Sequence, residues 1–264
     1  MAQVEAIDHL AIPVTDMAKA EWFYMELLGM SLEYRRLNPD GRPRNTFVNN
    51  GSQLGLFLPG TAAPPTQTGA PRFALVYRSE ENLEEALKRL RENGIVFQGP
   101  LSAPSHFPIC LSACLDDPAE NHVELCYLRE ALHNKGINHI AVETANLKKA
   151  LAFYQQALGI KKEAKRSSGE VTLQLKSGQL LILKEVSQLS ERSRVPGRGT
   201  HVDFEVTHED FEEVVRAIPV FGGEIQGDHR GAAGLRPEDE KSVYFSDADG
   251  NPFQMTAFEE GASK

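Results

Sequence analysis

Two histidines set in matching apolar runs are the first candidates for chemistry. Ile7-Asp8-His9-Leu10-Ala11-Ile12 returns 130 residues later as Ile137-Asn138-His139-Ile140-Ala141-Val142. A repeated histidine inside a strand-like run suggests a ligand position, because neutral imidazole binds divalent transition metals well. The same offset aligns Glu124 with Gln254, so each copy also closes on a side chain with an oxygen donor. Cys110, Cys114 and Cys126 all lie in the first half, on strand-like stretches. They read as buried free thiols rather than as a zinc set.

The elements that must position these residues repeat as well. Phe23-Tyr24 and Leu28-Gly29 return as Phe153-Tyr154 and Leu158-Gly159, and Asp117 and Asn121 return as Asp247 and Asn251. Near Gly94 and Gly222 the offset falls to 128, as a two-residue difference in a surface connection produces. Ile7–Val14 alternates like a strand, Thr15-Asp16 offers a cap, and Met17–Leu28 reads as a helix stopped by Gly29. Phe47-Val48 and Leu54–Leu58 read as strands. A second round follows, with a strand at Phe73–Tyr77, a helix at Glu81–Glu92, and strands at Ile109–Leu115 and Val123–Tyr127. Ala145–Ala157 and Glu209–Ala217 are the clearest helices of the second half. The unit is one strand, one helix, then two or three strands, four times over. Helices with one apolar face must cover such ribbons, so an α+β fold is expected. The expected domains are 1–130 and 136–260, joined near Glu130–Gly136. Pro59–Pro71 and Ser187–Gly199 read as loops, either ordered lids or mobile segments.

The 264 residues suffice for two cores, and 41% hydrophobic with 25% charged residues is globular composition. A net charge of −9 argues against nucleic acid as a partner. No apolar run reaches membrane-spanning length and no signal peptide is visible, so a cytoplasmic protein without a membrane partner is expected. The sparse, odd cysteine count fits a reducing compartment.

On these motifs the chain resembles the vicinal oxygen chelate superfamily, which holds glyoxalase I, bleomycin- and fosfomycin-resistance proteins and extradiol dioxygenases. The carriers are the strands of His9 and His139, the paired Phe-Tyr and Leu-Gly helices, and the runs Asp117–Glu124 and Asp247–Gln254. The resemblance implies four βαβββ modules paired into two tandem glyoxalase-like domains with curved mixed sheets. It is similar to the two-domain catechol 2,3-dioxygenase type, in which two histidines and a carboxylate hold iron(II). That implies His139, His201 and Gln254 as metal ligands, and Tyr244 as the residue touching substrate. His229 is the candidate for the acid–base histidine. In the first half the resemblance implies a remnant of His9 and Glu124, with Phe73 where the second histidine would stand. If instead the first module packs on the fourth, the site uses His9, His201 and Gln254.

The activity so implied is ring cleavage of a small aromatic diol by an Fe(II)-dependent oxidoreductase, with Mn(II), Zn(II) or no metal as alternatives. A metal-free binding protein of the bleomycin-resistance type is the second reading, since Gln254 and Phe73 both depart from ligation. A metal-dependent isomerase, lyase or thiol transferase is the third. Homo-oligomerisation is left open.

Overall fold

The computed structural model describes residues 2–58, 72–102, 109–128, 136–189, 201–228 and 241–258. Four modules are present, each a strand, a helix and three strands. The first comprises β1 (Val4–Pro13), α1 (Met17–Glu21), β2 (Ser31–Leu37), β3 (Pro43–Asn49) and β4 (Gln53–Phe57). The second comprises β5 (Arg72–Tyr77), α2 (Glu80–Glu92), β6 (Gln98–Ser102), β7 (Ile109–Asp116) and β8 (His122–Leu128). The third comprises β9 (Ile137–Thr144), α3 (Leu147–Ala152), β10 (Lys162–Ser167), β11 (Glu170–Gln174) and β12 (Leu180–Glu185). The fourth comprises β13 (His201–Thr207), α4 (His208–Val220), β14 (Glu224–Asp228), β15 (Ser242–Ser246) and β16 (Pro252–Phe258). The segments Pro59–Pro71, 190–199 and most of the joint near Glu130–Gly136 lie outside the described residues.

Each helix starts where the sequence offers a cap. Asp16, Ser79, Asn146 and Thr207 accept from the backbone N–H three residues on, which satisfies a donor that the helix leaves open. α1 and α3 then widen into π-helical turns at Trp22–Leu27 and Phe153–Ala157. The Leu28 and Leu158 N–H groups donate five residues back, to Phe23 and Phe153. The repeated Phe-Tyr pair sits on this wide turn, with all four rings fully buried.

The strands form two eight-stranded mixed sheets whose membership crosses the halves. The first has the order β14-β15-β16-β13-β1-β4-β3-β2 and the second β10-β11-β12-β9-β5-β8-β7-β6. The first module therefore pairs with the fourth through antiparallel β1 and β13. The second pairs with the third through β5 and β9. This is the alternative pairing, not the pairing of neighbouring modules that would gather His139 with His201. The two modules of each half are joined instead on the helix side. Tyr24 donates to Asp117 at 2.8 Å and Tyr154 to Asp247 at 2.6 Å. Arg89 and Tyr77 donate to the carbonyls of Leu27 and Leu28 that end the first wide turn.

The apolar residues of both sheets merge into one core with the helices. Among the described residues the opposite face of each sheet carries no helix, and it is where the polar candidates stand. Between the sheets, buried Gln179 bonds both N–H and C=O of Ile7 and the C=O of Ile137, at 2.8–3.0 Å. Ser52, at the matching turn of the first module, accepts from the N–H groups of Gly136 and Ile137.

Candidate functional site

Strand register brings one row of side chains across the helix-free face of the first sheet. Tyr244 faces Gln254, Gln254 faces Asp203, Asp203 faces His9, and His9 faces Gln53. The next row starts with His201, opposite Ala11, Gly55, Phe47 and Tyr34. Side chains directly opposite on neighbouring strands touch, so these two rows build a single site. A bulge between Ile7 and His9 turns two consecutive side chains the same way. Asp8 thereby joins His9, its Oδ2 lying 3.0 Å from His9 Nδ1. Asp203 Oδ2 lies 3.2 Å from the same nitrogen.

Asp8, His9 and Asp203 are the one group among the described residues whose donor atoms all fall within 4.8 Å of one another. All three are buried, and Asp203 is fully so. Two ligands at right angles around an ion at about 2.1 Å stand about 3.0 Å apart, and the His9–carboxylate distances match that spacing. Two carboxylates and an imidazole out of water also suit a cation electrostatically. The His201 ring lies edge-on to His9 at 6.0 Å and to Tyr244 at 5.4 Å. Asp203 accepts from Thr256 at 2.8 Å, and Gln254 donates its amide to Ser242 and Thr256 at 2.9 and 3.1 Å. These bonds orient Asp203 and engage the Gln254 amide nitrogen, so that only its carbonyl oxygen could meet an ion.

Beside this cluster the face is aromatic. Phe57 lies 6.4 Å from His201 and 5.6 Å from Phe47, which stacks on Tyr34 at 4.2 Å. Gly55 makes the wall compact, since a Cβ there would stand 2.5 Å from the Phe57 ring.

The second sheet has the same rows with other contents. Cys114 faces Glu124, Glu124 faces Ala74, Ala74 faces His139, and His139 faces Leu180. His139 Nε2 lies 3.3 Å from Glu124, and its Nδ1 lies 3.0 Å from Asn138. Ala74 takes the place that Asp203 holds in the first sheet. Burial, with Glu124 and Cys114 beside it, pushes the Cys126 thiol well above its usual range.

The expected ligand set is thus redistributed. His201, Gln254 and Tyr244 come together, but with His9, while His139 is in the other sheet beside Glu124. The expected remnant pair of His9 and Glu124 is likewise divided between the two sheets. Phe73 is not at the second-histidine position: register places Arg72 there, opposite Ala141, as His201 is opposite Ala11. Phe73 is buried in the core on the helix side, because a slip of one residue exchanges faces. His229 lies outside the described residues. Asp203 and Asp8 were missed. Asp203 was signalled by its spacing, two residues after His201 and so on the same face. Asp8 was not, because simple alternation points it away.

The turns behind the last strands hold the framework. Asp117 accepts from the Tyr24 hydroxyl, the Asn121 amide and two backbone N–H groups. Asp247 repeats this with Tyr154, Asn251 and two N–H groups. Burial outweighs these bonds and holds both carboxyls above the usual 3.8. Burial and the neighbouring Asp117 raise Tyr24 well above 10.0. Among the described residues no helix is long and apolar enough to cross a membrane.

Residues 6–125 match the model of the Glyoxalase/Bleomycin resistance protein/Dioxygenase superfamily, and residues 139–256 match that of a glyoxalase-like domain. The chain is 28% identical over 121 residues to metallothiol transferase FosB of Staphylococcus epidermidis, across 46% of this chain and 82% of that protein. A provisionally named dioxygenase of Bacillus subtilis shares the fold with a TM-score of 0.72 at 15% identity, covering 97% of this chain and 86% of that one. Glyoxalase I of Zea mays does so with a TM-score of 0.66 at 19% identity, covering 96% and 92%.

Proposed function

The chain belongs to the Glyoxalase/Bleomycin resistance protein/Dioxygenase superfamily, and from that premise we propose a metal-dependent oxygenase of the extradiol type, working in the hollow of the first sheet on a small aromatic diol. The observation that carries this reading is Asp203. It adds a buried carboxylate on the face shared by His9 and His201, and so makes good the charge that Gln254 lacks. His9, His201 and Asp203 would hold the ion, with Asp8 and the Gln254 carbonyl alongside. Two histidines and one carboxylate suit Fe(II) with positions left open. Such an ion supplies Lewis acidity and a template for a chelating diol. Thr256 fixes the Asp203 oxygen that faces His9, and Ser242 with Thr256 fixes Gln254. Tyr244, edge-on to His201, contacts the bound diol. Phe57, Phe47 and Tyr34 hold the ring and exclude water from it. A cytoplasmic setting keeps Cys110, Cys114 and Cys126 reduced.

The test is metal analysis of protein purified without oxygen, followed by Fe(II) loading and assay with catechols. One ion per chain and a ring-cleavage chromophore are expected. Absence of both sinks the reading. A second reading, a metal-free binding protein, draws on the hydrogen bonds that already link Gln254, Thr256 and Asp203. Melting with and without EDTA separates the two, since only a resident ion stabilises the fold on binding.

A further inference from the structure

Three strands from the metal cluster, the same hollow ends in positive charge. Along β2 the two adjacent arginines part company. Arg35 turns to the helix side and pairs with Glu21 through two bonds, at 2.7 and 3.0 Å. Arg36 turns to the hollow, where its guanidinium lies 5.4 Å from the Phe47 ring centroid. It is half-buried, and among the described residues no carboxylate pairs with it. Across from it on β3 stands Asn45. Only 6% of Asn45 is exposed, yet its amide makes no side-chain hydrogen bond among the described residues. Asn45 faces Phe57 on β4, so it belongs to the aromatic wall. With no partner among the described residues, the Asn45 amide is available to donate to a ligand in the hollow. A half-buried guanidinium without a counter-charge calls for an anion, and its planar fork fits an oxygen acid.

We propose that the hollow selects an aromatic acid, with the ring inside the wall of Phe57, Phe47 and Tyr34 and the carboxylate held by Arg36 and the Asn45 amide. The charges are arranged to orient such a molecule. Asp8 and Asp203 at one end repel the carboxylate and favour a cation or hydroxyl protons, while Arg36 at the other attracts it. An uncharged ring of the same shape fills the wall but leaves Arg36 and Asn45 unmet. This deepens the proposed activity and rests on its placement in the first sheet, yet the anion site needs no metal.

The experiment titrates the full chain, under nitrogen, with 3,4-dihydroxybenzoate and with 3,4-dihydroxybenzamide, by calorimetry, with and without added Fe(II). A charge-assisted bond to a carboxylate implies a preference for the acid of about tenfold or more, lessened by salt. Arg36→Gln is expected to erase most of that preference while keeping the wild-type melting temperature, since the side chain is half-exposed. Asn45→Leu, a second variant, is expected to weaken the acid more than the amide. Equal affinity for the two compounds, or a preference that survives Arg36→Gln, overturns the proposal. The two readings fail separately. An acid preference through Arg36 without ring cleavage of any catechol removes the oxygenase and keeps the anion site. Ring cleavage with no acid preference does the reverse.

Discussion

The two sheets share one architecture and differ in what they hold. In the first, the central row reads Tyr244, Gln254, Asp203, His9, Gln53. In the second, it reads Cys114, Glu124, Ala74, His139, Leu180. The next row contrasts Gly55 and Phe47 with Ile182 and Thr172. So, among the described residues, the aromatic wall and the Asp203 carboxylate have no counterpart at the matching positions of the second sheet. The framework is not: Asp117 and Asp247 hold the same partners in the same geometry. The turn that carries the last strand is indispensable to both sheets, whereas the row it presents is free to vary. Fold and chemistry have separated within a single chain.

The largest expected contrast lies at the ligand positions. Asp203→Ala should weaken metal binding by about a hundredfold or more and abolish turnover, because it removes a ligand and its charge. Glu124→Ala, read by the same metal titration, should leave the first sheet's ion in place. Equal losses in the two variants would erase the contrast. Next come the framework turns. Asp117→Ala and Asp247→Ala each strand a buried tyrosine hydroxyl and two N–H groups, and should each cost about 2–4 kcal/mol in urea unfolding. A loss confined to one of them would show that the two turns are not equivalent.

Gln179 sits between the sheets and tests their coupling. Gln179→Leu leaves buried backbone groups of Ile7 and Ile137 unmet, for about 2–3 kcal/mol. Because Ile7 adjoins the bulge that carries Asp8 and His9, metal affinity should fall with stability. Ser52→Ala should lower stability alone. Unchanged affinity in Gln179→Leu would break the link. The smallest effect is in pH. Burial raises the folded Asp247 carboxyl above 3.8, so the folded chain binds more protons than the unfolded one between those values. Its contribution to stability therefore declines as pH rises through that window. The stability gap between wild type and Asp247→Asn should widen as pH falls towards 3.8. A gap that narrows contradicts the burial argument.

Much of this was legible in the sequence. The repeated Asp–Asn turns and Phe-Tyr helices revealed two copies, and the capped helix after a strand, twice in each copy, revealed four modules, because capping and turn chemistry are local. The polar edge strands β2, β6 and β10 were not legible. Their residues are largely exposed, so no alternation marks them. Nor was the pairing of modules, since either arrangement buries the same apolar faces of β1, β5, β9 and β13. The partner of His201 turned on that choice. Phe73 for Arg72 was an error of one residue in register, which no composition signal corrects.

The crossing of the sheets between halves also sets an order of assembly. The second and third modules are nested inside the first and fourth, so their sheet needs only strands β5 to β12. During synthesis that sheet can close first. β1, with His9, must wait for β13 to supply its antiparallel neighbour, across nearly two hundred residues of chain. The furnished hollow is then the last part of the molecule to be finished, on a support already built by its plainer twin.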